Sequence, residues 1–185
     1  MSAERINTVA VVGSALVVEG DREYTEAQRL GRLLVDAGFR VVTGGRTGVM
    51  EAASRGAHQA DGYVEGRTVG ILPGHQPEEA NRWVDVAIPT GLSIARNAIV
   101  AHSDALVAVG GGSGTLSEMA MAWKLGRPVV AISVGGIGER MGGQPIDERP
   151  GPGDDQVWPA ESAGEAVELV ERLLVESSIG AREIE

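Results

Sequence analysis

Short runs of apolar residues recur along the chain, separated by longer segments in which apolar residues return every three or four positions. Apolar runs that do not alternate with polar residues predict strands that are buried on both faces. We assign such strands to residues 8–13, 39–45, 67–74, 83–91, 105–111 and 127–133. Because a helical segment follows most of these strands, the pattern predicts a doubly wound α/β fold with a mostly parallel sheet.

The segments between the strands have the spacing of helices with one buried face. In the first of them Ala27, Leu30 and Leu34 fall on one face, and Gly38 ends the segment. Further helices are predicted at 48–61, 92–103, 114–126 and about 161–177. For the segment 92–103 we predict a buried face made of Leu92, Ala95, Ala98 and Ile99.

The chain of 185 residues is long enough for one domain with its own core, and we predict a single domain over 1–185 with a core at about 8–134. Residues 135–153 are rich in Gly and Pro, which predicts a long loop. A loop of this length is either functional or disordered, and the sequence leaves both alternatives open.

Composition and charge narrow the classes of partner. The net charge of −10 disfavours nucleic acid, and the aromatic content of 3% offers few rings for stacking on bases. No apolar run is long enough for a membrane span and no signal peptide is recognisable, so we expect a cytoplasmic protein without a membrane partner. The chain has no Cys, and its three His residues lack ligand spacing, which predicts no metal site.

A glycine-rich loop directly follows the apolar residues ALVAV (105–109) at the end of the fifth predicted strand. It consists of Gly110, Gly111, Gly112, Ser113, Gly114 and Thr115. In a doubly wound sheet, ligands bind at the carboxyl ends of the strands, where the amides of a helix amino end attract an anion. Glycine lets the backbone approach that anion closely. We therefore predict that this loop binds a phosphate.

Glu118 has two interpretations. Thr115 and Glu118 have the spacing of a capping box, in which the glutamate bonds back to the first amide of its own helix. The neighbouring glycines favour the alternative, in which the Glu118 carboxylate faces the ligand.

A second glycine cluster follows the strand 39–45, and a third loop follows the strand 8–13. The candidate ligand contacts in these loops are Gly13, Ser14, Gly44, Gly45, Gly48 and Met50. One such loop is explained by turn geometry alone. Two glycine loops at the same sheet edge indicate a ligand that spans both.

Arg96 and Asn97 complete the candidate site, near the start of the helix predicted at 92–103. A cation near a helix amino end opposes the helix dipole, so a surface role does not explain Arg96. A guanidinium fork for a phosphate or a carboxylate does.

These motifs resemble the LOG-like Rossmann superfamily, whose signature is P-G-G-x-G-T-x-x-E. Residues 110–118 match it, with Gly110 in place of the proline. The stretches TGGRTGVMEAA, TVGILPG and ARN are more similar to the branch of molybdenum cofactor carrier proteins, which is distantly related to the DNA-processing protein A group. The phosphoribohydrolases of the superfamily carry M-H-x-R-K before the glycine loop, whereas this chain has Ser93, Ile94, Arg96 and Asn97 at those places.

The resemblance implies binding of a phosphorylated nucleotide such as AMP, or of a pterin-type ligand such as molybdopterin, with molybdenum cofactor as cargo and no required cofactor. The alternative is a nucleoside 5′-monophosphate phosphoribohydrolase in which Glu118 activates water and Arg96 orients the phosphate. A nucleotide sensor is a third hypothesis. A pyridoxal-dependent lysine decarboxylase is disfavoured, because the single lysine, Lys124, lies near a helix end.

The resemblance also implies a homodimer or a larger oligomer. The segment EMAMAWKLG supports an oligomer, because the side chains of Met119, Met121 and Trp123 provide more apolar surface than one core face requires. Burial of the three side chains within one chain is the alternative.

Overall fold

A computed structural model describes residues 5–148 and 156–182, with side chains as far as residue 176 in the last helix. Within these residues, seven strands form one sheet in which every neighbouring pair is parallel, in the order β4-β3-β2-β1-β5-β6-β7. The strands are β1 Thr8–Gly13, β2 Arg40–Thr43, β3 Thr68–Leu72, β4 Val86–Pro89, β5 Ala105–Val109, β6 Val129–Ile132 and β7 Trp158–Ala160. The predicted doubly wound α/β fold is confirmed.

In the described part of the chain, six α-helices cover the two faces of the sheet: α1 Arg22–Asp36, α2 Val49–Ala57, α3 Asn97–Val100, α4 Ser113–Lys124, α5 Gly136–Met141 and α6 Ala163–Arg182. Two 3-10 helices, Pro77–Glu79 and Ser93–Arg96, lie in the connections. One core cluster joins α1, α2 and α6 to the sheet, and the other joins α3, α4 and α5 to its opposite face. Since β5 and β6 contact both layers, all their residues are buried, which explains their unbroken apolar runs.

The prediction of one helix at 92–103 with an apolar buried face is wrong. The segment is a 3-10 turn followed by the short α3, and Leu92, Ala95 and Ile99 are exposed while Ala98 is half-buried. The buried residues of α3 are Asn97 and Val100. Hydrogen bonds of the Asn97 amide to α4, described below, hold this polar residue inside and turn the apolar residues outward.

The prediction of an unbroken loop at 135–153 is also wrong in part, because residues 136–141 form α5. This glycine-rich helix forms because two of its amides find partners on the loop after β5: Ile137 donates to Gly111 and Gly138 donates to Gly110. Residues 149–153 lie outside the described residues. The last helix runs over Ala163–Arg182 rather than about 161–177, and β7 was not predicted.

The segment EMAMAWKLG is only partly exposed. Met119 and Trp123 are buried within the chain, as the alternative interpretation had it, and Met121 is exposed. Among the helices of the described residues, none combines the length and the apolarity that a membrane crossing requires.

Candidate functional site

A cavity of about 420 Å³ opens at the carboxyl ends of β1 and β5. Successive strands are added outward on one side of β1 as far as β4, and the chain then returns to add β5 on the other side. This reversal leaves a crevice between the loops after β1 and β5, the position at which doubly wound sheets bind their ligands.

Most of the residues predicted from the sequence meet in this cavity. Its walls include Gly13, Ser14, Gly44, Met50, Arg96, Asn97, Gly112, Ser113, Gly114, Thr115 and Glu118. Loops after β1, β2 and β5 therefore converge with the 3-10 turn that carries Arg96. Whether these residues bind a ligand stays a prediction.

Gly45, Gly48, Gly110 and Gly111 do not line the cavity, and each has a positive φ. A Cβ atom on Gly48 would clash with the carbonyl oxygen of Ser14, which accepts a hydrogen bond from Val49 at 2.9 Å. Gly48 thus lets α2 begin against the loop after β1. The four glycines shape the loops around the cavity without forming its surface.

Arg96 and Glu118 form an ion pair inside the cavity. Nη1 of Arg96 donates to Oε1 of Glu118 at 3.0 Å, and their side chains are 14% and 8% exposed. Glu118 is the sixth residue of α4, and no side chain caps that helix. The capping-box interpretation of Glu118 is therefore wrong, because α4 begins at Ser113, two residues before Thr115.

Burial changes the protonation of both partners. Burial raises the pKa of Glu118 to about 7, although the charge and hydrogen bond of Arg96 act in the opposite direction. Burial likewise lowers the pKa of Arg96, partly offset by Glu118. The cavity thus holds a carboxyl group that exchanges a proton near neutral pH, in contact with a cation.

The absence of a side chain at Gly44 makes room for the Arg96 guanidinium. A Cβ atom on Gly44 would lie 2.6 Å from Nη1 of Arg96 and 2.6 Å from Sδ of Met50. The glycine cluster after β2 therefore leaves the space in which Arg96 pairs with Glu118, the glutamate that follows the glycine loop after β5.

Asn97, which is 4% exposed, joins α3 to α4. Its Nδ2 donates to Oγ of Ser117 at 2.8 Å and to the carbonyl oxygen of Gly114 at 3.4 Å. The Ser117 hydroxyl in turn donates to the Gly114 carbonyl at 2.6 Å. Asn97 therefore fixes the first turn of α4 beside the cavity and adds no charge to it.

Several cavity residues were missed by the sequence reasoning. They are Ala15 and Leu16 after β1, Pro73 after β3, and Ser93 and Ile94 in the 3-10 turn, with Val11 and Val12 of β1 below them. Pro73 lies at the carboxyl end of a predicted strand, so the rule that located the glycine loops also locates this residue. Ser93 has a φ of 52°, the one positive φ of a non-glycine residue in the described part of the chain, and no sequence signal predicts it.

No group of three or more His, Cys, Asp or Glu residues within 5–148 and 156–182 is arranged to hold a metal ion. The groups that line the cavity include a helix amino end, an arginine and a carboxyl group, together with the apolar side chains of Leu16, Met50 and Ile94.

Comparison with known proteins gives one family match. Residues 6–167 match the model of the SLOG cluster4 family. An uncharacterized protein of Archaeoglobus fulgidus is 40% identical over 130 residues, which are 69% of this chain and 81% of that protein.

Solved structures give the same relationship. The molybdenum cofactor binding protein from the phototrophic bacterium Rippkaea orientalis is 33% identical and has a TM-score of 0.73 over 92% of this chain and 98% of that one. The molybdenum cofactor carrier protein of Chlamydomonas reinhardtii is also 33% identical, with a TM-score of 0.75 over 91% and 99% of the two chains. The resemblance stated from the sequence motifs is confirmed.

DNA processing protein A from Helicobacter pylori has a TM-score of 0.60 over 92% of this chain and 81% of that one, at 17% identity. At this identity the two proteins share a fold, as the sequence resemblance implied, and nothing more is carried over. The expectation that nucleic acid is not a partner continues to rest on the net charge of −10.

Proposed function

This chain belongs to the SLOG cluster4 family, and we propose that its cavity binds a phosphorylated, pterin-type ligand in the manner of the molybdenum cofactor carriers. One observation carries the proposal: the amino end of α4 and the guanidinium of Arg96 line the same cavity. Both are positive, and the cavity lies where a doubly wound sheet receives its ligands.

The amino end of α4 supplies donors for a phosphate. The first hydrogen bond within the helix is that from Leu116 to Gly112, so the amides of Ser113, Gly114 and Thr115 have no partner further back in the helix. The partial positive charge of a helix amino end is not offset here by an acidic residue in the first turn. These three residues line the cavity, and we assign the phosphate group to them.

The rest of the cavity suits the planar part of such a ligand. Leu16, Met50 and Ile94 provide apolar surface, and the volume of about 420 Å³ lies within the range of small-molecule sites. Molybdopterin combines a phosphate monoester with a planar pterin. The names of the related Rippkaea orientalis and Chlamydomonas reinhardtii proteins support this class of ligand.

The test is loading with molybdenum cofactor released from a molybdoenzyme, followed by gel filtration and measurement of protein-bound molybdenum. We expect the wild type to retain the cofactor and Arg96→Gln to bind about tenfold more weakly, since a hydrogen bond to a charged group contributes about 1.5–3 kcal/mol. In Arg96→Gln the buried Glu118 carboxylate loses its cationic partner, which can itself change binding. The double variant Arg96→Gln/Glu118→Gln removes that carboxylate as well and so controls for this effect. Arg29→Gln, which removes the same charge from an exposed position on α1, is the matched control.

Equal loading of Arg96→Gln and Arg29→Gln would contradict the assignment of Arg96. If the wild type retained no molybdenum cofactor, the proposed carrier function itself would be contradicted.

A second candidate, hydrolysis of the N-glycosidic bond of a nucleoside 5′-monophosphate, is favoured by the state of Glu118. A buried carboxyl group with a pKa of about 7 is suited to accept a proton from water at neutral pH. Against it, Asn97 stands where the phosphoribohydrolases carry a lysine, and its amide is engaged by Ser117 and Gly114.

Incubation with AMP and measurement of adenine separate the two candidates. We expect no adenine release from the carrier, with the ligand still bound both by the wild type and by Glu118→Gln. Release by the wild type that is lost in Glu118→Gln would instead establish the hydrolase, because glutamine keeps the shape of the side chain and cannot accept the proton.

We also propose a homodimer formed through an apolar surface on α3, α4 and the preceding 3-10 turn. The residues of this α3–α4 surface are Leu92, Ile94, Ile99, Met121 and Leu125, all of them exposed. Met121 lies on α4 and Leu125 directly follows its last residue, about one turn further on, and α4 packs against α3. Exposed apolar clusters of this kind mark interaction sites. Since Ile94 also lines the cavity, the second copy would lie beside the ligand.

A further inference from the structure

Arg46 lies just outside the cavity, two residues beyond the Gly44 that forms part of its wall. Its Nη1 donates to Oε2 of Glu79 at 3.2 Å, with the two side chains 50% and 31% exposed. An ion pair this exposed contributes little to stability, on the order of 0–1 kcal/mol. The pair therefore exchanges readily for another partner of the guanidinium.

The backbone beneath Arg46 is held in place. The side-chain Nδ2 of Asn81 donates to the carbonyl oxygens of Gly45 at 3.1 Å and Arg46 at 2.8 Å. The backbone amide of Asn81 also donates to the carbonyl oxygen of Gly45, at 2.8 Å. The loop after β2 is thus tied to the segment that follows β3. Only the long side chain of Arg46 has freedom to change partners.

The Glu79 carboxylate lies in a defined space beside Gly74. A Cβ atom on Gly74 would clash with the Glu79 carboxylate, so the absence of a side chain at Gly74 leaves the space in which this carboxylate lies. Gly74 follows Pro73, which forms part of the cavity wall. Arg46 and Glu79 therefore meet at the cavity rim, between the loops after β2 and β3.

The charges of the two arginines act on each other. Burial is the main cause that lowers the pKa of Arg96, Glu118 opposes it, and the positive charge of Arg46 lowers the pKa of Arg96 further. This repulsion is relieved when an anion binds between the two guanidinium groups. A phosphate monoester, with up to two negative charges and three acceptor oxygens, matches two guanidinium forks and a helix amino end.

We propose that Arg46 is a second anion-binding arginine of the cavity, which Glu79 holds away from the ligand until a phosphate monoester enters. Glu79 acts as a competing carboxylate, so its removal strengthens ligand binding. This inference rests on the proposed function, since it assigns Arg46 to the ligand of the same cavity.

The test is calorimetric titration with AMP, using adenosine as the control without a phosphate. We expect Glu79→Gln to bind AMP about three- to tenfold more tightly, and Arg46→Gln to bind it about tenfold more weakly, because charge-assisted hydrogen bonds to phosphate are gained or lost. In the double variant the gain from Glu79→Gln disappears. Glu176→Gln is the matched control, since it removes the same charge from an exposed ion pair with Arg172 on α6.

Any of three results would overturn the inference while leaving the phosphate site intact. Glu79→Gln could bind AMP no more tightly than Glu176→Gln does, or Arg46→Gln could bind AMP as tightly as the wild type does. The third such result is that Glu79→Gln gains as much affinity for adenosine as for AMP. Failure of the wild type to bind AMP overturns the inference as well. In that case, retention of molybdenum cofactor by the wild type shows whether the proposed carrier function fails with it. Unchanged circular dichroism and melting temperature establish that each variant is folded.

Discussion

The role of a single residue in the cavity depends on the residues that it contacts in space. Glu118 follows Thr115 with the spacing of a capping box, yet the helix begins two residues earlier and the carboxylate turns to Arg96. Asn97, adjacent to Arg96 in sequence, is fixed by Ser117 and Gly114 instead of pairing with the carboxylate. The residue types that carry charge were identified from the sequence, but the pairing of Arg96 with Glu118 depends on how α4 packs against the 3-10 turn.

The protonation of Glu118 predicts how stability depends on pH. The folded chain holds a proton on Glu118 up to a pKa of about 7, whereas the ordinary pKa of glutamate is 4.5. Between these values the folded state binds more protons than the unfolded state, so the free energy of unfolding falls as the pH rises. We expect Glu118 to contribute a loss of about 1–3 kcal/mol between about pH 5 and pH 8.

Urea denaturation at a series of pH values measures this contribution. Glu118→Gln is expected to lose this part of the slope, whereas Glu176→Gln, which changes an exposed glutamate on α6, keeps it. Identical slopes for Glu118→Gln and the wild type would show that burial does not hold the proton on Glu118.

At the scale of elements, α5 supports the glycine loop after β5. The carbonyl oxygens of Gly110 and Gly111 accept hydrogen bonds from Gly138 at 3.0 Å and Ile137 at 2.9 Å. Gly136 packs so closely that a Cβ atom there would lie 2.6–2.7 Å from backbone atoms of Gly110 and Gly111. Gly136 and Gly138, two of the glycines that predicted a loop at 135–153, thus let a helix approach the candidate phosphate loop.

We expect Gly136→Ala to destabilise the chain and to weaken AMP or cofactor binding about tenfold, because the glycine loop must move to admit the new methyl group. Gly143→Ala is the matched control: Gly143 also has a positive φ, of 76°, but a Cβ atom there would have no neighbouring atom within 4 Å. Both variants are expected to lose about 1–2 kcal/mol from the strained φ alone. Thermal unfolding and ligand titration check the prediction, and equal affinities of the two variants would contradict it.

For the whole molecule, strand order decides where the candidate ligand cavity forms. The chain adds β2, β3 and β4 on one side of β1 and β5, β6 and β7 on the other, so the loops after β1 and β5 separate at the switch. Positive groups collect there in a chain whose net charge is −10. The same layout leaves the α3–α4 surface exposed beside the cavity.

We expect light scattering to give twice the mass of one chain for the wild type, because the α3–α4 surface buries its apolar side chains against a second copy. Ile99→Glu places a charge in that surface and is expected to give a single chain. Val64→Glu, which changes a comparably exposed apolar residue of the β2–β3 connection, is the control and leaves the mass unchanged. A single-chain mass for the wild type would contradict the dimer.

From the sequence we predicted six of the seven strands in the described residues, the parallel sheet and the glycine loops at the candidate site, because buried strands and glycine loops are local patterns of apolarity and backbone freedom. The rule that ligands bind at the carboxyl ends of parallel strands located the predicted cavity residues of the three loops, whereas Arg96 was located by its opposition to a helix dipole. Leu16 lies in the loop after β1 that this rule locates, but an exposed apolar side chain has no signal of its own in the sequence, and neither has the positive φ of Ser93.

Which of these residues meet depends on tertiary packing. The Arg96–Glu118 pair, the support of the glycine loop by α5 and the Arg46–Glu79 pair join positions between 22 and 33 residues apart or on separate elements. Such contacts depend on how helices and loops pack over the sheet, and the pKa of Glu118 depends on the burial that this packing produces. Local patterns carry information on the elements, whereas the chemistry of the cavity arises from distances that no local pattern contains.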